Sequence, residues 1–287
     1  MIGQSSHVGK QHLPYSDPNW RMRMDHLEIP LNPEYGHGFF IRSLYLTTPQ
    51  TGHVLLGMED MGHAFQIHFE HNGETVTAID ARWHRHPVST CSGAPQALQA
   101  LVGCPLSGSV LAPQHFSDPL QHCTHMFDMM RLAMVHAWHR RSDCRYDVII
   151  RDSPSGQPQT GELMKNGELK FRLIVSGDTI VAPERCRGAS LTRGFGRWAK
   201  DHLDDETLEY VFMLQRSFFI AHGRRRNYSV LNAKVALSAG LLVGVCHATK
   251  SEHYAEAMRL DTVKDYSKMP EQILQFFPLT EFQPAVS

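Results

Sequence analysis

The sequence predicts an α+β protein that contains two antiparallel β-meanders, each followed by helices. Two observations carry this prediction. Short apolar runs rich in β-branched and aromatic residues occur in two blocks, and a helical region separates the blocks. Asn-Gly and Gly-Asp turns separate neighbouring runs within the blocks. The order strands, helices, strands, helices is typical of an α+β fold.

The first block consists of four runs that are typical of strands. Asn72-Gly73 lies between the last two, and Asn-Gly between alternating runs is a strong signal for a hairpin. The block is therefore predicted to be a meander, with strands FFIRSLYLT from Phe39, HVLLGME from His53, AFQIHFE from Ala64 and TVTAIDA from Thr75.

Two helices are predicted between the blocks. The segment APQALQALVG forms a short helix ended by Gly103. Asp118 before Pro119 is a good N-cap followed by proline in the first turn, and it predicts a long amphipathic helix that ends near His139.

The second block repeats the pattern of strands followed by helices. Its predicted strands are RYDVIIRD from Arg145, TGELMK from Thr160, ELKFRLIV from Glu168 and TIVA from Thr179. Helices are then predicted from about Phe195 to Leu203 and from Asp204 or Asp205 to about Gly223, and 234–260 is expected to be helical in pieces.

We expect one globular body with three parts. Residues 1–36 contain four prolines and few apolar clusters, and they are predicted to form an irregular arm. Residues 37–141 form the first meander with its helices, and residues 142–287 form the second block with its helices.

An internal echo points to a pseudo-twofold repeat. The letters NGE at Asn72 precede CSGA at Cys91 by nearly the same distance at which NGE at Asn166 precedes CRGA at Cys186. Two halves related by a twofold axis would produce this echo.

Composition and charge exclude several classes of partner. The net charge is -1, so the chain generates no general field for nucleic acid or for acidic membranes. The N-terminus lacks a signal-peptide pattern and no apolar run approaches the length of a membrane span, so we expect a cytoplasmic protein. The six cysteines form no Cys-x-x-Cys pair, and the 19 histidines are the unusual feature of the composition.

Several histidines of the long helix are predicted to share one side. Helical geometry places His122 and His125 on this side together with Asp128, His136 and His139. The functional interpretation is that His122 and His125 line a site as acid and base or as metal ligands and that Asp128 orients an imidazole. The alternative is a solvated polar face. Cys123 would face the core on the opposite side, unless the helix begins after it.

The chain resembles the bacterial DUF2889 family over about residues 40–140. The resemblance rests on His63 in MGHAFQIHFE, on Cys91 in RWHRHPVSTCSGAPQALQALVG, and on Cys123 with His125 in HCTHM. The chain departs from the family pattern at three positions, which are His122 in place of Gly, Met126 in place of Leu, and Ala64 in place of an acidic residue. The resemblance implies no reaction, but it selects His63, Cys91, Cys123 and His125 as residues to test.

These four residues have the ligand types of a Cys2His2 metal site for zinc or iron. Their spacings fit no finger or ribbon, so the site would have to be assembled from a strand, a loop and a helix. No nucleotide cofactor is expected, because the lone Gly-x-Gly in TRGFGRW lacks a βαβ context.

Arg85 and Arg224 are the predicted substrate-binding residues. Arg224 belongs to a basic cluster that closes an aromatic-rich helix. The cluster either complements the helix dipole or clamps a carboxylate or a phosphate, including that of a coenzyme A thioester.

Together these features predict a catabolic enzyme of the lyase or hydrolase type, in which His125, His63, Asp128 and His122 are catalytic. The chemistry would be acid/base or metal-assisted, and the substrate a small, partly apolar aromatic or acyl molecule. Two alternatives stay open at this point: a non-enzymatic metal or iron–sulfur protein, and a structural or adaptor subunit. A homo-oligomer is compatible with the sequence.

Overall fold

A single antiparallel sheet of eight strands forms the centre of the protein. The computed structural model describes residues 29–236 and 243–277. The strands lie in the spatial order β4-β3-β2-β1-β5-β6-β7-β8. The predicted α+β class and both meanders are therefore confirmed, with strands β1 (Phe39–Gln50), β2 (His53–Glu59), β3 (Ala64–His71), β4 (Val76–Arg85), β5 (Cys144–Arg151), β6 (Gln159–Lys165), β7 (Glu168–Ser176) and β8 (Thr179–Ala182).

Helices follow each meander. The described residues contain four α-helices, which are α1 (Ala94–Ala97), α2 (Thr124–Trp138), α3 (Phe195–His202) and α4 (Asp205–Ala221). Helix α2 packs on β1 and β2, and α4 packs on β5, β6 and β7. Both long helices contribute to one continuous apolar core with the strands.

The alternation of side chains along each strand decides which face meets the helices. In β3, Phe65, Ile67 and Phe69 are fully buried in this core, while His68 and Glu70 point to the other face and stay partly exposed. Strand β1 places Arg42 on the same face as its buried apolar neighbours, because Phe40 and Leu44 lie two residues away on either side. A charge therefore points into the helix-covered side of the sheet.

Helix α2 begins later than predicted. Asp118 caps a separate turn of 3-10 helix at Pro119–Gln121, where its side chain accepts from the Leu120 N–H. His122 is extended, and Cys123 is the N-cap of α2, which starts at Thr124. The prediction of one helix from Asp118 was wrong because the 3-10 turn ends at Gln121. The extended backbone of His122 separates this turn from α2.

The two meanders are arranged alike about the β1–β5 pair. Counting outward, the order is β1 to β4 on one side and β5 to β8 on the other. Cys91 and Cys186 each lie in a short turn after the fourth strand of their half. The Asn-Gly turns are not equivalent, however, because Asn72 lies between β3 and β4 whereas Asn166 lies between β6 and β7. The sequence echo thus agrees with the strand order at the two cysteines but not at the two Asn-Gly turns.

The C-terminal segment crosses back onto the first meander. The His247 N–H donates to the carbonyl of His122, and Arg259 pairs with Val88 in an isolated bridge. The helical pieces expected at 234–260 are 3-10 turns at His247–Thr249 and Tyr254–Glu256, and 237–242 fall outside the described residues.

The predicted N-terminal arm lies largely outside the described residues, since the structure describes it only from residue 29. Residues 29–36 are irregular, as expected, and Leu31 forms a bridge with Arg226. Among the helices of the described ranges, none is both long and apolar enough to cross a membrane.

Gly161 allows α4 to approach the sheet closely, and its replacement tests the packing. A Cβ at this position would lie 2.7 Å from Ile150 Cδ1 and 2.7 Å from a ring carbon of Phe218. We expect Gly161→Ala to lower the free energy of unfolding by about 1–3 kcal/mol in urea titrations, because the core must be displaced. In the matched control Gly196→Ala, the added Cβ meets nothing within 4 Å. Equal stabilities of the two variants would contradict this account of the packing.

Candidate functional site

The turn between β2 and β3 is built around the carboxylate of Asp60. Its Oδ1 accepts from the backbone N–H groups of Gly62 and His63, both at 2.9 Å, and from His63 Nδ1 at 3.0 Å. These bonds satisfy the amides of a tight turn and fix the imidazole of His63 at the same time. Asp60 thus fixes both the backbone of the turn and the orientation of the His63 side chain.

Asp60 is ionised and fully buried, and Arg42 compensates its charge. Oδ2 accepts from Arg42 Nε at 3.1 Å and from Arg42 Nη2 at 2.6 Å. Burial by itself would raise the pKa of Asp60, but His63 and Arg42 together hold it well below its usual range. The carboxylate is therefore a fixed negative charge between a guanidinium and an imidazole.

Helix α2 brings His125 onto the ring of His63. His125 lies in the first turn of the helix, and the two ring centroids are 3.8 Å apart at an interplanar angle of 26°. Nε2 of His125 is buried and has no hydrogen-bond partner among the described residues. Buried polar atoms without a partner are uncommon, and here the atom lies beside a second imidazole. The structure thus joins the two histidines that the sequence selected.

The two imidazoles have different surroundings. Because Asp60 accepts from Nδ1–H of His63, the other ring nitrogen of His63 carries a lone pair that can accept a proton or bind a metal. Burial, followed by the nearby His63 and Arg42, lowers the pKa of His125 well below its usual range. His125 is therefore neutral at pH 7 and can donate or accept a hydrogen bond without carrying charge.

The same three residues are the candidate metal centre at this end of the sheet. One donor atom from each of Asp60, His63 and His125 lies within 4.8 Å of the others. Two imidazoles and a carboxylate suit zinc or iron. However, five N–H bonds already occupy the two oxygens of Asp60. The donor set therefore fits a metal through the imidazoles better than through the carboxylate.

The predicted Cys2His2 set does not assemble as a whole. Cys91 and Cys123 lie near each other and near Cys246, but neither belongs to the donor group around His63 and His125. Burial raises the pKa of Cys91 to about 12 and that of Cys123 well above its usual range. Both thiols are thus protonated and packed in apolar surroundings, which favours a structural role.

His122 lies outside the pair of stacked histidines. Its Nε2 bonds to Ser117 Oγ at 2.8 Å and its ring stacks on Phe127. Burial lowers the pKa of His122 to about 4. The shared face predicted for His122 and His125 does not form, because His122 precedes the helix and has an extended backbone.

Asp128 does not orient an imidazole. Its oxygens lie 2.9 Å from Arg216 Nε and 3.6 Å from Arg131 Nη1. Asp128 therefore forms ion pairs with one arginine of α4 and one of α2. The predicted solvated face is also absent, since Asp128 and His136 are buried in the core. Helix α2 is covered on nearly every side, and only its C-terminal end near His139 is exposed.

Arg85 and Arg224 are both engaged in ion pairs and hydrogen bonds within the protein. Arg224 forms ion pairs with Asp152 and Asp265 and is 4% exposed. Arg85 donates to Glu59 and to the carbonyls of Met61, Asp60 and Thr262, which ties the β2–β3 turn to the C-terminal segment. Neither guanidinium presents an uncompensated charge to a substrate.

Two residues of the site were not predicted from the sequence. Asp60 follows β2 in the stretch Glu-Asp-Met-Gly-His, where an aspartate before a glycine is a turn signal. Arg42 is the one charge in the apolar run of β1, and the period of two places it on the core face. Each signal was present, but neither reveals that the two residues form a pair.

No protein-family model and no curated protein matches the chain. The resemblance to the DUF2889 family therefore stays a prediction.

The buried histidine of α2 predicts how stability depends on pH. Burial lowers the pKa of His136 to about 4, so between about pH 4 and 6.5 the unfolded chain binds more protons than the folded chain. Stability must therefore fall as the pH falls through this window. We expect the free energy of unfolding to decrease from pH 7 to pH 5, with His136 contributing up to about 2 kcal/mol. Urea titrations of His136→Gln should give a shallower pH dependence, whereas the exposed His115→Gln should keep the slope of the wild type; identical slopes would contradict the assignment.

Proposed function

We propose that this protein is an enzyme in which His63 and His125 carry out acid/base chemistry on a small organic molecule. The observation that supports this proposal is the stacked pair itself, in which Asp60 orients one imidazole and the other has a buried nitrogen without a partner. A carboxylate that holds a histidine in one tautomer is the usual way to prepare a general base. The proposal keeps the lyase or hydrolase class.

In this scheme Nε2 of His63 accepts the proton that is removed from the substrate or from an attacking water. Asp60 stabilises the imidazolium that forms, because it already accepts the hydrogen bond from Nδ1. Arg42 keeps Asp60 ionised, so the carboxylate does not take the proton itself. Nε2 of His125 bonds to a substrate oxygen beside the reacting atom. The cytoplasmic, catabolic role and the aromatic or acyl substrate in this proposal rest on the sequence predictions alone.

Substitution of the two histidines tests the acid/base proposal. The protein would be incubated with a panel of small aromatic and acyl esters, thioesters and hydroxy acids, and products would be followed by mass spectrometry. We expect His63→Gln and His125→Gln to lower turnover by about 10²–10⁴-fold, which is the usual contribution of a general acid or base. His139→Gln, at the exposed end of α2, serves as the control and should keep the rate of the wild type. Unchanged rates in His63→Gln and His125→Gln would refute the proposal.

A second candidate is metal-assisted chemistry at the same place. The observation that favours it is the mutual proximity of donor atoms from Asp60, His63 and His125. A metal would supply a Lewis acid or lower the pKa of a bound water. Metal analysis of purified protein separates the candidates: stoichiometric zinc or iron that disappears in His63→Gln but persists in Cys91→Ser and Cys123→Ser would replace the acid/base scheme. Loss of the metal in the cysteine variants would instead favour the metal or iron–sulfur binding protein.

We also infer that the two meanders are a pseudo-twofold repeat in which one half carries the chemistry. The supporting features are the matching strand order and the equivalent positions of Cys91 and Cys186. In the second half, the turn that corresponds to Asp60–His63 is the Asn166-Gly167 hairpin, which has neither a carboxylate nor an imidazole.

A further inference from the structure

The cluster between α2 and α4 carries more positive than negative charge. Arg131 and Arg216 both pair with Asp128, and no other carboxylate among the described residues pairs with either guanidinium. Arg42 and Asp60 cancel each other a short distance away. One positive charge is therefore left over in a largely buried region, where an uncompensated charge is costly.

The guanidinium groups of this cluster also have free hydrogen-bonding capacity. Nε of Arg131 and Nε of Arg216 are buried without a hydrogen-bond partner in the described part of the chain. Arg216 donates from Nη2 to Asp128 at 3.4 Å, and its Nε approaches the same carboxylate to 2.9 Å without hydrogen-bond geometry. Arg131 donates only to Gln114, at 3.3 Å, and is 1% exposed. Buried donors that are short of acceptors are uncommon, and an acceptor group placed here would satisfy them.

The cluster lies beside the stacked histidines. His125 and Asp128 are three residues apart on α2, so their side chains share one side of the helix and lie one above the other. Arg216 reaches Asp128 from α4, and its charge acts on His125. Arg216 is 22% exposed, which makes it the member of the cluster that a ligand can reach. Phe212 lies under both guanidiniums and supplies an apolar surface.

We propose that Arg216 binds the carboxylate of a small monoanionic substrate and holds its reacting atom against His63 and His125. The surplus of one charge matches a monoanion better than a phosphate, which carries nearly two negative charges at pH 7. A carboxylate is planar and can accept two N–H bonds from one guanidinium. This inference deepens the proposed function and rests on it only for the position of the reacting atom. It assigns to Arg216 the carboxylate clamp that the sequence suggested for Arg224.

Replacement of Arg216 should not unfold the protein. Without it, Asp128 and Arg131 form a balanced pair, so Arg216→Gln removes the surplus charge rather than exposing a new one. Arg197→Gln, on the exposed surface of α3, changes the net charge equally and serves as the matched control. Far-UV circular dichroism and urea titrations confirm the folded state of both variants.

Calorimetric titration with three probes tests the proposal: benzoate, its uncharged analogue benzamide, and inorganic phosphate. We expect benzoate to bind the wild type and Arg197→Gln alike, and benzamide to bind at least tenfold more weakly. Arg216→Gln should weaken benzoate binding at least tenfold, and Arg216→Lys should restore part of it, because a point charge replaces the planar fork. Equal benzoate affinity in the wild type and Arg216→Gln overturns the proposal. Phosphate binding that depends on Arg216 and exceeds that of benzoate overturns the carboxylate assignment.

The histidine variants separate this inference from the proposed function. If benzoate binding depends on Arg216 while His63→Gln and His125→Gln leave turnover unchanged, the anion site stands and the acid/base function fails. If turnover requires both histidines but benzoate binding is insensitive to Arg216, the function stands and the carboxylate clamp fails.

Discussion

The ion pair between Asp60 and Arg42 is the interaction on which the geometry of the site depends. A carboxylate buried at the end of β2 is tolerated because a guanidinium from β1 and a turn of N–H donors surround it. Removal of one partner from such a buried pair costs about 3–5 kcal/mol, since the other charge stays behind unpaired. The same carboxylate fixes His63, so the contact that stabilises the turn also orients the imidazole. The stability of the turn and the orientation of His63 therefore depend on the same carboxylate.

A second constraint is the packing of α2 against the sheet. The helix is buried on nearly all sides, and its first turn carries His125 to the ring of His63. Burial and the neighbouring positive charges keep His125 neutral, because a protonated imidazole there would face Arg42 and Arg216. The histidine pair thus lies among the fixed charges of Asp60, Arg42 and Arg216. Each ring can still form a hydrogen bond to a bound molecule. Preorganised charges of this kind favour the acid/base chemistry that we propose for the pair.

Local patterns in the sequence predicted the fold well and the site in part. Strand periodicity and the Asn-Gly turns located all eight strands, because these signals depend on neighbours in the chain. Helical geometry selected His125, and the family resemblance, not a local pattern, selected His63. The partners of these histidines were not selected, because Asp60 with Arg42 and Asp128 with Arg216 join elements that are distant in sequence. One error was local: the helix was assumed to start at Asp118, which placed His122 and His125 on one face.

The two meanders have the same strand order, yet their middle turns carry different side chains. The turn with the carboxylate and the imidazole belongs to the first half, whereas the corresponding turn of the second half is the plain hairpin at Asn166-Gly167. The second half still contributes, because α4 extends Arg216 across to Asp128 on α2. A site made by one half would hold only the two stacked histidines and the compensated pair of Arg42 with Asp60. Arg216 from α4 adds the positive charge that Asp128 and Arg131 leave unbalanced, and the proposed binding of a carboxylate rests on this charge.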